Sequence, residues 1–531
     1  MKKGRLVVEK ESTMTKVRRY LPQIVSAAMG IMVLLVIPLF YHDAFFDINR
    51  AKVSLFQTIV PYFAAVMGLS LLLMPQKSQA FSKYPWLLIL PAVLFAFTCL
   101  ISSALQGFDE ATLTGSEGRY GGVFFILSLM GAFLIIAMGR DRGIVLSAAA
   151  ILSGMIVAVL GIVNALGQDP LHFYENMQTS QLNIFLSTIG HLDFYGTYLL
   201  MPTALALGIG IKAKSFLLRL GSTLCGFVMT AGLFCARTDS TWIGMALIAY
   251  CLFFLSGEDL DMMKRALIQI AFVIFLLPTM VFVIETYSTR HLVFDGLYRI
   301  ITLYNGAETA AVFLILAFIL SMMKKHSIKA PGFRRLALIG LILILVMIVL
   351  MTVAFVYYTG HTTETGPFGI ERLFRIDDNY GSRRGYIWTR AMRVFRDAPV
   401  VNKIFGVGPE MTRRVTRAYI EDPNEEMISG GIYNDVHSQP LQYLLTLGIV
   451  GCVLFVLHFI LLFLAAWRYS EEDPILTGLA GAFGAYLTIM LINVAQPILL
   501  MTYFGFSGIL VSCVAWKRNP NNKASQLQNK Q

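Results

Sequence analysis

Long apolar runs alternate with short polar connections along almost the whole chain. Apolar stretches begin near Leu21, Val53, Trp86, Val123, Ile144, Phe194, Leu217, Thr241, Ala266, Ala307, Leu336, Pro440, Ile475 and Leu500. At roughly 20 residues per crossing, the pattern predicts an all-α polytopic membrane protein with about fourteen transmembrane helices. The first run, from Leu21 to Phe40, is too long for a signal-peptide core and has no clear small-residue cleavage site, so it reads as an uncleaved span. Connections such as Gly139 to Gly143 and Arg237 to Ser240 are short, which makes neighbouring helices hairpins. One connection is different, and it divides the chain. The expected map is a basic tail over 1–20, helices 1 to 11 over 21–358, a large loop over 359–439, helices 12 to 14 over 440–516 and a disordered tail over 517–531. A structureless loop of that size is unusual. Within it Ile387, Ala391, Val394 and Phe395 recur at helical spacing ahead of Pro399, which predicts a helix over 383–397.

Composition sharpens this picture. Apolar residues make up 56% and charged residues 14%, against about 25% charged in a soluble domain. A water-soluble globule, or a cytosolic enzyme with a membrane tail, is excluded. The six cysteines all fall in apolar runs and read as packing residues, not as a disulfide or zinc framework. The net charge of +11 has to be sorted by membrane side before it suggests any partner. Alternating the loops puts the basic excess on the N-terminal side and leaves the other side acidic overall, so both termini are expected to be cytoplasmic and the large loop external. The expected surroundings are membrane lipid, with no nucleic acid.

The large loop is the place to look for chemistry. It carries Arg383-Arg384-Gly-Tyr-Ile-Trp388, then Phe405-Gly406-Val-Gly408-Pro409, then Asp435-Val-His437, with Gly448 and Gly451 in the next apolar run. Gly406 and Gly408 permit a tight turn whose main-chain N–H groups can approach an anion. His437 has the side chain suited to a general base near neutral pH, and Asp435 two residues earlier can orient it. Guanidinium forks suit pyrophosphate. The competing readings are a solvated charged surface, since the loop's eleven basic and eleven acidic residues cancel, a structural boundary histidine, and glycines that merely allow close helix packing.

Taken in order, Arg384 with Trp388, Gly406-x-Gly408-Pro409, Asp435-x-His437 with Leu441-Gln442, and Gly448-x-x-Gly451 resemble the core of the O-antigen ligase and polymerase family. Upstream, Leu113-Thr-Gly115-Ser-Glu-Gly-Arg119-Tyr-Gly121-Gly122 is similar to the family's Gly/Arg/Gly stretch. Gly190-His191-Leu-Asp193 stands where the family has Gly-Asn-x-Asn, with His and Asp replacing two amides. Arg237 lies in the hairpin that holds the family's Ser-Arg pair, but in a shifted register. The resemblance implies a bacterial inner or plasma membrane enzyme, multi-pass, with its active site on the external face. It would move a glycan from an undecaprenyl pyrophosphate carrier to a hydroxyl on a glycan, lipid or protein acceptor. His437 is then the base, Asp435 its orienter, and Arg384, Arg119, Arg237, Gly406 and Gly408 the pyrophosphate ligands.

A polymerase of the same family, which sequence does not separate from a ligase, is the second reading, and a protein O-oligosaccharyltransferase is the third. A flippase for lipid-linked oligosaccharides would instead place charges within its helices. No metal, ATP or other cofactor is expected. The Asp259-Leu-Asp261 pair falls in a short cytoplasmic connection, and Asp377-Asp378 and Glu425-Glu426 are adjacent pairs without diagnostic spacing.

Overall fold

A computed structural model of the protein describes residues 13–73, 84–116, 118–179, 181–257, 259–290, 292, 306–325, 339–340, 380–417, 435–471, 473–493 and 496–519. Helix α1 (Thr13–Ile31) continues through a π-helical turn, Met32–Val36, to Leu39. It is followed by α2 (Ile48–Leu72), α3 (Trp86–Leu105), the short α4 (Glu110–Thr114), α5 (Val123–Ala137) and α6 (Ile144–Ala165). A two-stranded antiparallel hairpin, β1 (Phe185–Leu186) with β2 (Gly190–His191), precedes α7 (Leu192–Lys212). Then come α8 (Phe216–Phe234), α9 (Asp239–Leu255), α10 (Leu260–Tyr287) and α11 (Gly306–Lys325). The large loop contributes α12 (Tyr380–Asp397), α13 (Val400–Phe405) and α14 (Thr412–Arg417), and the chain closes with α15 (Gln439–Thr446), α16 (Gly448–Tyr469), α17 (Pro474–Ile492) and α18 (Pro497–Arg518).

Among the described residues ten helices are long and apolar enough to cross a membrane, and three apolar segments, Val123–Ala137, Asp239–Leu255 and Gly306–Met322, are shorter. The span expected from Leu336 falls outside the described residues apart from 339–340, as do 359–379 and 418–434 of the expected loop. Three expected boundaries move. The helix expected from Pro440 is two helices, because the chain turns at Leu447–Gly448, where Gly448 has φ +68° and a Cβ would lie 2.3 Å from the Ile404 carbonyl. Helix already begins at Thr13, inside the expected N-terminal tail, and α18 runs through Lys517 and Arg518, inside the expected disordered tail, with Lys517 paired to Asp473 at 3.1 Å.

Helices α7, α17 and α18 form the centre. Every residue of α18 from Pro497 to Ala515 is buried, and α7 and α17 cross so closely that a Cβ on Gly208 would lie 2.4 Å from the Gly478 Cα. Small residues allow that approach where lipid provides no hydrophobic drive between helices. Several helix ends are tied together by side chains. Lys52 donates its Nζ protons to the carbonyls of Ile37, Pro38 and Phe40 at the end of the first span, satisfying orphan acceptors there. Thr188 Oγ1 donates to Pro38 O, Asn49 Nδ2 to Gly118 O, and Ser102 Oγ to Thr446 O. These bonds bring the end of α3 and the starts of α2, α5, α7 and α16 to one face of the bundle.

Candidate active site

Two separate segments meet at that face. The first is the turn after α4, which Asp109 caps by accepting from the Ala111 N–H. Gly115 (φ +89°) and Gly118 (φ +83°) reverse the chain, and Gly122 packs so tightly that a Cβ there would lie 2.5 Å from Gly115 N. Only glycine fits such a turn. It projects Arg119 into the protein, where only 6% of the residue is exposed.

The second segment is Asp435-Val436-His437. Its middle peptide is clamped from both sides: Trp388 Nε1 donates to Val436 O at 2.9 Å, and Gln442 Oε1 accepts from Val436 N at 3.1 Å. Gln442 is itself held by donating to Thr412 Oγ1. Helix α12 presents Trp388 because Ile387, Ala391 and Val394 bury its inner face against Val436 and Leu445, as the helical spacing predicts. Asp435 Oδ1 accepts the His437 main-chain N–H at 2.9 Å and lies 3.4 Å from His437 Nδ1. The other carboxylate oxygen, Oδ2, sits 2.8 Å from Arg119 Nη1. The result is a linear chain, Arg119 to Asp435 to His437. A carboxylate facing Nδ1 favours the tautomer that leaves Nε2 as the free base.

Three site residues hold strained backbone. His437 (φ +48°), Glu410 (φ +60°) and Tyr120 (φ +54°) all adopt left-handed conformations that side chains disfavour. Such strain persists only where the surroundings enforce it.

The electrostatics favour a neutral imidazole. Burial lowers the His437 pKa below 6.5, Asp435 pulls it back up, Arg384 and Arg119 push it down, and Asp193 raises it slightly. Beneath Arg119 lies a small cavity of about 40 Å³, lined in part by Glu410, Gln439, Gln442 and Tyr443. Glu410 accepts from Ser116 Oγ at 2.7 Å, and burial raises its pKa despite the neighbouring Arg119. Gln439 donates to Tyr443 OH and accepts from Tyr486 OH, which anchors the first turn of α15 two residues after His437.

The sequence-predicted residues therefore divide. Asp435, His437 and Arg119 are in one chain, with Arg384 within electrostatic reach of the imidazole. Arg119, expected as a pyrophosphate ligand, is buried with Nη1 on Asp435, on the far side of that carboxylate from His437 Nδ1 along the chain of contacts. Gly406 and Gly408, expected to offer N–H groups to an anion, have them engaged: Gly406 N donates to Asn402 O and Gly408 N to Thr446 O. What these glycines permit is close approach, since a Cβ at Gly406 (φ +84°) would lie 2.1 Å from Thr446 O. Arg237, also expected on pyrophosphate, donates from Nη2 to the Asn183 carbonyl, which ties it to the loop ahead of β1. His191 caps α7 by accepting from Asp193 N, and Asp193 reaches the site through its field on His437. Sequence reasoning passed over Glu410, Ser116 and Gln439. The signal for Glu410 was available, a carboxylate directly after the Gly408-Pro409 turn.

A search of curated proteins finds no match to this chain. The scan against protein families matches residues 292–456 to the family described as O-antigen ligase. That segment holds Arg384, Trp388, Gly406, Gly408, Asp435, His437, Gly448 and Gly451, whereas Arg119 and Arg237 lie outside it and Arg119 joins it only through the fold. The resemblance first seen in the spacing of these residues is thus found again over a longer stretch, and residues 292–456 of this multi-pass membrane protein are similar to the O-antigen ligase family.

Proposed function

We infer that this protein transfers a glycan from a polyprenyl pyrophosphate carrier, undecaprenyl pyrophosphate in a bacterial plasma membrane, to an acceptor hydroxyl at the external face. The observation that carries this reading is the Arg119–Asp435–His437 chain at one face of a membrane bundle, with Asp435 and His437 inside the family-matched segment. His437 Nε2 takes the acceptor proton as the acceptor oxygen attacks the anomeric carbon, and the bond from that carbon to the pyrophosphate oxygen breaks. Asp435 stabilises the imidazolium that forms, and Arg119 holds Asp435 in place. Arg384 meets the charge on the leaving pyrophosphate with a planar fork. The glycan–pyrophosphate bond supplies the driving force, so neither ATP nor a divalent metal takes part.

The test uses the purified protein in lipid with carrier-linked glycan and acceptor, in EDTA and without ATP. Transfer is expected, with His437→Ala slower by about 10²–10⁴-fold. Near-normal transfer by His437→Ala refutes the base assignment, and activity restored only by magnesium moves the site to carboxylates such as Asp377, Asp378, Glu425 and Glu426. Ligase and polymerase are separated by a deletion strain: finished polymer left on the carrier indicates a ligase, single repeat units a polymerase.

A further inference from the structure

Helix α13 is a single short turn-and-a-half between α12 and the Gly406–Gly408 turn, and it is oddly apolar for an exposed element. Val400 is 69% exposed, Val401 50% and Ile404 38%. The helix packs on α3 and on the first turn of α16. Both of those spans also expose apolar side chains at the same level, Leu105 on α3 and Ile449 on α16. The exposed face of α13 therefore extends a surface that two membrane-spanning helices already present to lipid. Cations gather next to it. Arg396 hydrogen-bonds Asp397, and Lys403 and Arg393 act with it to hold that carboxyl below the usual range, which places three cations around one carboxylate. An apolar ridge with a cationic margin is the pattern of a segment seated at the boundary between acyl chains and phosphate headgroups.

We propose that α13 is a lipid-seated wedge, with Val400, Val401 and Ile404 in the outermost acyl layer and Lys403, Arg393 and Arg396 on the phosphates of lipid headgroups. Its consequence for the site is direct. The residues that follow α13 are clasped to α15, with Val407 N on Leu445 O and Gly408 N on Thr446 O, and they lead at once to Glu410 beside Arg119. Seating α13 therefore fixes the height of the site relative to the headgroup plane, where a carrier's pyrophosphate lies. The inference rests on the chain being membrane-embedded and holds whatever reaction the site performs.

The wild-type protein is reconstituted in phosphatidylcholine and phosphatidylglycerol vesicles that contain a lipid with a photoactivatable diazirine near the top of its acyl chain. After irradiation and trypsin digestion, adducts are expected on the peptides Asp397–Lys403 and Ile404–Arg413, at yields comparable to those on lipid-facing peptides of α16. Spin labels at Val401→Cys and Ile404→Cys, in a background lacking the six native cysteines, read the same point: oxygen should reach them as it reaches Ile449→Cys. Arg413→Cys, exposed on α14, should respond to a water-soluble nickel chelate instead. Absence of adducts with the Val401 label open to nickel overturns the proposal. Labels shielded from both reagents overturn it too, because a protein surface then covers the helix.

Discussion

Asp435→Asn separates the roles of the central carboxylate more cleanly than any other substitution, because the amide keeps its shape and loses its charge. Three effects follow from the geometry. An amide NH₂ turned toward His437 Nδ1 favours the tautomer protonated on Nε2, and a base blocked in this way loses about 10²–10⁴-fold in rate. Second, Arg119, paired at 2.8 Å with side chains only 7% and 17% exposed, keeps a buried charge with one counter-ion fewer. Removing one partner of a buried pair costs about 3–5 kcal/mol. Glu410 also faces Arg119, so the loss of stability should fall at or below the low end of that range. Third, Asp435 raises the His437 pKa, so its removal lowers it further. In the wild type the transfer rate should be flat near neutral pH and fall in acid, as the imidazole protonates below 6.5. In Asp435→Asn the residual rate should keep its plateau to lower pH. The assay is the initial rate of glycan transfer by purified protein between pH 5 and 9, with thermal unfolding measured alongside. A variant within threefold of wild type, with an unmoved acid limb, would show that Asp435 does not act on His437.

Arg384→Lys should slow transfer at least tenfold with protein level unchanged, because a point charge cannot replace a bidentate fork; normal glycan in a complemented strain contradicts the assignment. Gly406→Ala combines φ +84° with a Cβ 2.1 Å from Thr446 O, so it should lower the amount of folded protein in the membrane, and wild-type levels by fluorescence-detected size exclusion would contradict the close-packing role. Tyr486→Phe removes the proton donated to Gln439 Oε1 and should cost about 1–3 kcal/mol for the buried acceptor left unpaired, read as a lower melting temperature. Reporter fusions at Asn424 and at the C-terminus should report opposite sides of the membrane, and the same side for both ends the external-site reading.

What the sequence made visible was whatever one segment decides by itself. Apolar runs announce helices, and Ile387, Ala391 and Val394 announced the buried face of α12 because their spacing is set by the helix alone. The break at Gly448 was hidden, since Gln439–Thr446 and Gly448–Tyr469 read as one apolar run and Pro440 can open a helix of any length. At the turn that divides them a side chain would meet the Ile404 carbonyl, more than forty residues earlier. Gly406 and Gly408 show the same limit. A Gly-x-Gly-Pro turn with positive φ is equally good for holding an anion or for admitting a neighbouring carbonyl, and only the position of Thr446 decides between them.

The arginines follow this logic one step further. By type alone each is a candidate for pyrophosphate, yet the fold sorts them by what surrounds the guanidinium. Arg119 enters a turn of glycines that buries it beside Asp435, where its charge fixes a carboxylate, whereas Arg384 stays partly exposed on a helix within reach of the imidazole. A buried cation paired with Asp435 fixes the carboxylate that lies beside the histidine's Nδ1. Arg384, within electrostatic reach, lowers the histidine's pKa. Two residues of one type thus act on His437 differently, one through Asp435 and one through its field, and the difference between them comes from burial and from one ion pair across more than three hundred residues of sequence.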